Sequence, residues 1–174
     1  MRTRTVVLLV VLVAVVGYQI YRGRRGTSGV RSVATGVGQV APAFALNDLA
    51  GQKVEMAGLR GKVVLLDFWA TWCAPCREEI PHFVEMQEKY RGQGLEIVGV
   101  SVDDSAEPVR KFYQEYKMNY PVVMGDEKLA GAYGGVLGLP IAFLIDRDGK
   151  VVKKHIGQTD AAVFEREVGE LLGK

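Results

Sequence analysis

The two cysteines of the 174-residue chain lie three positions apart, in the segment Trp72-Cys73-Ala74-Pro75-Cys76. The segment follows an apolar run, residues 63–69, that predicts a buried strand, and it opens a stretch, residues 74–90, with the apolar spacing of a helix. Two cysteines on the first turn of a helix bring their sulfur atoms within reach of a disulfide. The pattern therefore indicates thiol–disulfide redox chemistry.

The position of each cysteine predicts a different part in that chemistry. Cys73 falls at the helix N-terminus, where backbone N–H groups and the helix dipole lower the pKa of a thiol. Because the thiolate is the nucleophile of disulfide exchange, Cys73 is the candidate attacking residue. Cys76 lies one turn deeper, where it is shielded and available to resolve a mixed disulfide. Pro75 stiffens this turn, and Trp72 is expected at the exposed rim of the site.

Other uses of a cysteine pair stay open. A zinc site needs two further ligands, for which the chain offers the histidines His82 and His155. An inert structural disulfide needs none. A copper-handling chaperone module with Cys73, Cys76 and His155 as ligands is the alternative function. A peroxidase is a third, although related peroxidases place the reactive cysteine after a Thr-Pro context. We expect no resident metal and no cofactor besides the disulfide.

Two acidic residues fall where the strand and the helix would bury them. Asp67 interrupts the apolar strand, and a carboxylate there is costly to bury unless it has a partner or a role. Glu79 follows Cys76 by three residues, so its side chain is able to face the cysteines. If it is partly buried, its pKa is raised and it is able to accept the proton of the resolving thiol. The alternatives are a hydrated Asp at a strand edge and an exposed helix charge like Glu78.

The hydrophobic pattern predicts the elements that position these residues. A hairpin is expected in residues 44–55, and further strands in residues 63–69, 95–102, 121–124, 141–145 and 151–156. Helices are expected in residues 74–90 and 127–133 and after the capping residues Ser105 and Asp160. This order predicts one α/β domain, in which helices cover both faces of a central mixed sheet and a β-hairpin precedes it.

Charge divides the chain at Gly38. Residues 1–38 carry six arginines and no acidic residue, a net charge of +6, while the remaining 16 basic and 20 acidic residues give that part a net charge of −4. A mildly acidic domain is not the electrostatic profile of a nucleic-acid-binding protein. We therefore expect no nucleic-acid partner.

Residues 3–21 predict a helix that crosses a lipid bilayer. These 19 residues would extend about 28 Å, just enough to span the hydrocarbon layer. We expect an uncleaved anchor in residues 1–25, a flexible Gly- and Ser-rich linker in residues 26–38 and the redox domain in residues 39–174. A cleaved signal peptide is the alternative. Arginines on both sides of the apolar run leave the orientation open.

The segment Val64-Leu-Leu-Asp-Phe-Trp-Ala-Thr-Trp-Cys-Ala-Pro-Cys-Arg-Glu-Glu-Ile-Pro81 resembles the TlpA/ResA-like thiol–disulfide oxidoreductases of the thioredoxin-like superfamily. The resemblance implies a thioredoxin-like fold with an N-terminal β-hairpin extension. It also implies a domain held on the extracytoplasmic side of the membrane that reduces disulfides of other proteins, such as apocytochrome c or a copper-site protein. An upstream membrane thiol reductase would recharge it.

The resemblance also implies roles for single residues. Cys73 attacks and Cys76 resolves. Asp67 matches the buried acid of thioredoxin that accepts a proton near the second cysteine, and Glu79 matches an acid that ResA-like members hold near the pair. Pro140 aligns with a cis-proline that packs beside the cysteines and helps to bind the substrate backbone.

The chain departs from the family directly after this proline. Where the family usually has Thr, this chain has Ile141 followed by Ala142. Together with Leu139 they predict an apolar rim. The residues expected to bind substrate are Trp72, Pro75, Leu139 and Pro140.

Overall fold

The computed structural model describes residues 36–173, and the predicted anchor and most of the predicted linker lie outside these residues. Within them the strands are β1 Ala45–Asn47, β2 Lys53–Glu55, β3 Val63–Trp69, β4 Leu95–Ser101, β5 Val122–Met124, β6 Ile141–Ile145 and β7 Val151–Ile156. The helices are α1 Ala74–Tyr90, α2 Ala106–Glu115, α3 Glu127–Ala132 and α4 Ala161–Leu172.

Five strands form the central sheet in the order β5-β4-β3-β6-β7. β3, β4 and β5 run parallel to one another, whereas β6 is antiparallel to both of its neighbours, β3 and β7. β1 and β2 form a separate antiparallel hairpin. The predicted α/β fold, with a mixed sheet and an N-terminal hairpin, is therefore confirmed.

The central strand β3 divides the interior into two cores, because successive side chains of a strand point to opposite faces. All seven of its residues are buried. Leu65 and Trp69 pack with α1, α2 and α4 against the side that carries the cysteines, which we call the cysteine face. Leu66 and Phe68 pack with α3 and the hairpin on the opposite side, the apolar face. Asp67 lies between Leu65 and Trp69 in the alternation and so belongs to the cysteine face.

The predicted N-cap residues lie at the starts of their helices, but not all of them make a capping hydrogen bond. Asp160 caps α4 by accepting a hydrogen bond from the Ala162 N–H, and Asp126 caps α3 in the same way. Ser105 occupies the N-cap position of α2, but its hydroxyl makes no capping hydrogen bond. The prediction of a Ser105 cap is therefore right about the position and wrong about the interaction.

Candidate active site

The cysteine pair lies at the start of α1, directly after the loop that connects β3 to this helix. Cys73 is the N-cap residue of α1, and Cys73 and Cys76 are joined in a disulfide with their Cα atoms 5.3 Å apart. The Cys76 N–H points at the Cys73 sulfur, 3.3 Å away. In the reduced protein this N–H and the helix dipole favour a thiolate on Cys73. Cys73 is 5% exposed and Cys76 only 1%, so the sulfur nearer to solvent is the one at the helix start.

A buried carboxylate fixes the loop that leads into Cys73. Asp103, directly beyond β4, accepts hydrogen bonds from the backbone N–H and the hydroxyl of Thr71, at 3.0 and 2.6 Å. It also accepts one from the Ser101 hydroxyl at 2.9 Å. Asp103 is not among the residues predicted from the sequence. The signal that was available is its place at the carboxyl end of a strand parallel to β3, the edge at which the cysteine loop begins.

Glu79 is buried in α1, three residues after Cys76, with only 4% of its surface exposed. Its Oε1 atom accepts a hydrogen bond of 2.6 Å from the Thr159 N–H. Burial raises the pKa of Glu79 to about 7, although this hydrogen bond acts in the opposite direction. The alternative of an exposed helix charge is therefore wrong for Glu79, while Glu78 is exposed.

A cleft of about 580 Å³ connects Glu79 to solvent. It lies between α1 and the segment ahead of α4, and Glu79, the exposed His82 and Thr159 line it. Glu79 is thus held in the protein interior with an open route for a proton to water.

Asp67 is buried in the middle of β3, between Gly99 of β4 and Ala142 of β6. Burial raises the pKa of Asp67 well above its usual range, and the negative charge of Glu79 raises it further. The alternative of a hydrated Asp at a strand edge is wrong, since β3 is the central strand of the sheet. The two carboxyl groups predicted from the sequence are therefore both buried, and the charge of Glu79 acts on Asp67.

The Leu139–Pro140 peptide bond is cis, as the resemblance implies. Because Phe68 of β3 pairs with Ile141 of β6, Pro140 lies beside the end of β3 from which the cysteine loop departs. Leu139 and Trp72 line one groove of about 600 Å³. Trp72 is 69% exposed and Leu137, in the same groove, 98% exposed. Of the three residues predicted to form an apolar rim, only Leu139 lines this groove; Ile141 and Ala142 are buried in β6, because their side chains pack into the two cores. The exposed apolar residues of the groove are Trp72 and Leu137.

The structure does not bring His155 to the cysteines. Its Nε2 atom lies 2.8 Å from Glu167 Oε2, and its ring packs against Phe164 of α4. Among residues 36–173, no three His, Cys, Asp or Glu side chains are grouped as metal ligands would be. The copper alternative, which needs His155 beside Cys73 and Cys76, therefore gains no support from the geometry.

The fold and the site together define a thioredoxin-like redox enzyme, a thiol–disulfide oxidoreductase. Residues 37–154 match the AhpC/TSA family, and the chain belongs to this family.

Similar proteins agree with that class. The thiol-disulfide oxidoreductase ResA of Bacillus subtilis is 41% identical over 151 residues, which cover 86% of this chain and 82% of that protein. ResA of Bacillus thuringiensis is 39% identical over 154 residues, covering 88% and 86%. Among solved structures, a thiol:disulfide interchange protein of the thioredoxin family from Chlorobium tepidum is 34% identical with a TM-score of 0.73, covering 78% of this chain and 97% of its own.

Proposed function

We propose that the protein is a membrane-anchored, extracytoplasmic oxidoreductase that reduces disulfides in other proteins, with the Cys73–Cys76 pair as its redox group and no bound cofactor. The observation that carries this proposal is the disulfide at the start of α1, on the strand–helix unit whose buried carboxyl groups, Asp67 of β3 and Glu79 of α1, have raised pKa values. An inert structural disulfide has no need of titratable groups in the core beside it.

The first step is nucleophilic attack by Cys73. In the reduced enzyme the Cys73 thiolate attacks one sulfur of the substrate disulfide, the substrate S–S bond breaks, and a mixed disulfide forms. The displaced substrate sulfur leaves as a thiolate and takes a proton from water. The Cys76 N–H, directed at the Cys73 sulfur, stabilises the attacking thiolate.

The second step is resolution by Cys76. The Cys76 thiol gives its proton to the buried carboxyl pair, Asp67 and Glu79, and its sulfur attacks Cys73. The Cys73–Cys76 disulfide forms and the second substrate thiolate departs, so the substrate gains two electrons and the enzyme loses two. Because Glu79 lines the cleft to solvent, the proton leaves by that side chain. A dithiol of an upstream membrane thiol reductase then reduces the enzyme again.

The substrate binds at the apolar rim. Trp72, Leu137 and Leu139 line the groove next to the cysteine loop, and they offer contacts to an apolar side chain near the target cystine. Pro75 lies in the first turn of α1, between the two cysteines. The resemblance implies that the cis-Pro140 packs beside the cysteines and supports the substrate backbone. The resemblance implies apocytochrome c or a copper-site protein as substrate.

The reducing direction follows from the residues between the cysteines. Ala74 and Pro75 offer no charge and no imidazole to stabilise the Cys73 thiolate further. A less stabilised thiolate makes the pair a better reductant. We expect a reduction potential near that of thioredoxin, about −270 mV, and not near that of the oxidant DsbA, about −120 mV.

The N-terminal part of the chain, residues 1–38, is proposed to hold the enzyme at the membrane. The anchor is residues 1–25, with residues 3–21 in the bilayer, followed by the linker 26–38 and the redox domain 39–174. Among residues 36–173 no helix is long and apolar enough to cross a membrane. Replacing Leu12 by Arg in the full chain tests the anchor, because a central charge opposes insertion. We expect the variant to leave the membrane fraction. Retention of the variant, or a mature chain that begins beyond residue 25, contradicts the anchor.

Trapping of mixed disulfides tests the redox function. In the full-length Cys76→Ser variant the first step proceeds and the second does not, so stable mixed disulfides with substrates accumulate and mass spectrometry identifies the partners. The matched control is Cys73→Ser, which keeps only the deeper sulfur. Trapping mainly through Cys76 would reverse the order of attack. An absence of mixed disulfides in both variants would contradict the proposal.

A further inference from the structure

Three buried polar atoms on the cysteine face have no hydrogen-bond partner within residues 36–173: Asp67 Oδ1, Trp69 Nε1 and the Tyr120 hydroxyl. Asn119 Oδ1 is a fourth such atom, but its amide nitrogen donates to the Val84 carbonyl. Buried polar groups in native proteins are nearly always hydrogen-bonded to protein or to ordered water. Three of them in one place therefore require an explanation.

Gly99 shows that the Trp69 indole nitrogen and the Tyr120 ring lie on the same side of the sheet as Asp67. It is the β4 residue that pairs with Asp67 across the parallel strands, on the same face of the sheet. A Cβ atom at Gly99 would lie 2.9 Å from Trp69 Nε1 and 3.5 Å from the Tyr120 ring. The indole nitrogen and the edge of the tyrosine ring therefore both lie near Gly99, the residue of β4 that pairs with Asp67. The interaction of Tyr120 with the Asp67 charge, which adds to the effect of burial in raising the pKa of Tyr120, agrees with this placement.

The donors and acceptors of the three groups complement one water molecule. A water is able to accept hydrogen bonds from the Trp69 N–H and the Tyr120 hydroxyl while donating one to Asp67 Oδ1. Three hydrogen bonds are typical of buried water in proteins. We propose that Asp67, Trp69 and Tyr120 together bind one internal water molecule, and that Tyr120 is thereby a positioning residue for Asp67. This inference deepens the proposed function and rests on it for the role of Asp67 as proton acceptor.

This water accepts hydrogen bonds from Trp69 and Tyr120, so it is oriented to donate one to Asp67. A donated hydrogen bond stabilises the ionised form of the Asp67 carboxyl group. Among the other ionisable groups, the charge of Glu79 of α1 acts on Asp67, whereas Cys76 of the same helix does not titrate while it is in the disulfide. Gly99 and Ala142, its partners on β4 and β6, have no ionisable side chain. Tyr113 of α2 interacts with Tyr120. Tyr120 and Trp69 are thus the groups that counter the desolvation of Asp67.

The Tyr120→Phe variant tests the proposal, since it removes one hydroxyl and retains the ring. The full-length oxidised protein is labelled with carbon-13 at aspartate carboxyl carbons, and the Asp67 signal is assigned by its loss in Asp67→Asn. We expect the titration of Asp67 to move to higher pH in Tyr120→Phe, with a proton affinity about tenfold greater, because the carboxylate loses support from one hydrogen bond. Trp69→Phe should move it in the same direction.

Tyr133→Phe is the matched control. Tyr133 is also buried, and its hydroxyl donates to the Pro42 carbonyl on the apolar face. Its loss should reduce stability without moving the Asp67 titration. An Asp67 signal that is the same in Tyr120→Phe and in the wild type at every pH would overturn the inference, as would an equal shift in Tyr133→Phe.

The same variants separate this inference from the proposed function. If Asp67→Asn slows resolution of the mixed disulfide but Tyr120→Phe leaves the Asp67 titration unchanged, the acceptor role stands and the water site is refuted. If Tyr120→Phe moves the titration but Asp67→Asn does not slow resolution, the water site stands and the acceptor role is refuted.

Discussion

The two faces of the central sheet are built from alternate residues of one strand and differ sharply in polar content. On the apolar face, Phe68, Tyr133 and Phe143 form an aromatic cluster with ring centroids 5.1–6.0 Å apart, and the Tyr133 hydroxyl is hydrogen-bonded. On the cysteine face, Asp67 and Glu79 are buried with raised pKa values. The apolar face therefore stabilises the fold, whereas the cysteine face loses part of that stability because it buries two titratable carboxyl groups.

Removing a large side chain from the apolar face should have the largest effect on stability. Phe143 is fully buried in β6, so Phe143→Ala leaves a cavity and should lower the free energy of unfolding by about 3–5 kcal/mol. Denaturant titration of the oxidised protein measures this loss. The pH dependence of disulfide exchange should stay as in the wild type at temperatures where the variant is folded. A changed pH profile would mean that the two faces are not independent.

The pH dependence of stability should come from the cysteine face. Burial raises the pKa of Glu79 from 4.5 to about 7. Between these values the unfolded chain releases the proton and the folded protein keeps it, so the contribution of Glu79 to stability is fully present below about pH 4.5 and is lost as pH rises to about 7. The loss should be on the order of 2–3 kcal/mol, and Asp67, whose pKa is also raised, adds a loss of the same sign that begins at lower pH, near its unfolded value of 3.8.

Urea titrations from pH 4.5 to pH 8 measure this loss in the wild type and in two glutamine variants. Glu79→Gln should make the fall in stability between pH 4.5 and about pH 7 less steep, and the slope that remains is due to Asp67. Glu78→Gln is the control, because Glu78 is exposed on the same helix turn and hydrogen-bonds to Gln158. If the two variants show the same pH dependence of stability, the burial of Glu79 does not cause the fall in stability between pH 4.5 and about pH 7.

Substrate binding should depend on the rim of the cysteine face. Trp72→Ala should lower kcat/KM for a protein disulfide on the order of tenfold, since exposed tryptophans in an interface often dominate its affinity. It should leave a small disulfide such as oxidised glutathione, and the stability, nearly unchanged. The control is Ile156→Ala, which removes another exposed apolar side chain, outside the groove. An equal loss in both variants would contradict substrate binding at Trp72.

The smallest effects are expected at the helix starts, where the two faces should not differ. Asp126 caps α3 on the apolar face and Asp160 caps α4 on the cysteine face, so replacing either by Ala should cost about 1 kcal/mol. Ser105→Ala should change stability by less than about 0.5 kcal/mol, because Ser105 makes no capping hydrogen bond. Thermal unfolding measures all three. A larger loss for Ser105→Ala than for Asp160→Ala would contradict the observed contacts.

The sequence predicted the local features well because they depend on neighbours in the chain. The apolar run 63–69 and the spacing of 74–90 gave β3 and α1 with their bounds. The burial of Glu79 was left open, since it depends on Thr159, far along the chain. Asp103 and Tyr120 were missed for the same reason: periodicity shows which face a residue occupies but not which distant residue meets it.

The alternation along β3 also makes this strand intolerant of a change in length. Because successive residues serve opposite cores, one inserted residue would turn Phe68 toward the disulfide and Asp67 into the aromatic cluster. The pairing of β3 with β4 on one side and β6 on the other holds the register at both edges. Substitutions can therefore adjust the chemistry beneath the cysteines one position at a time, whereas an insertion would exchange the two environments at once.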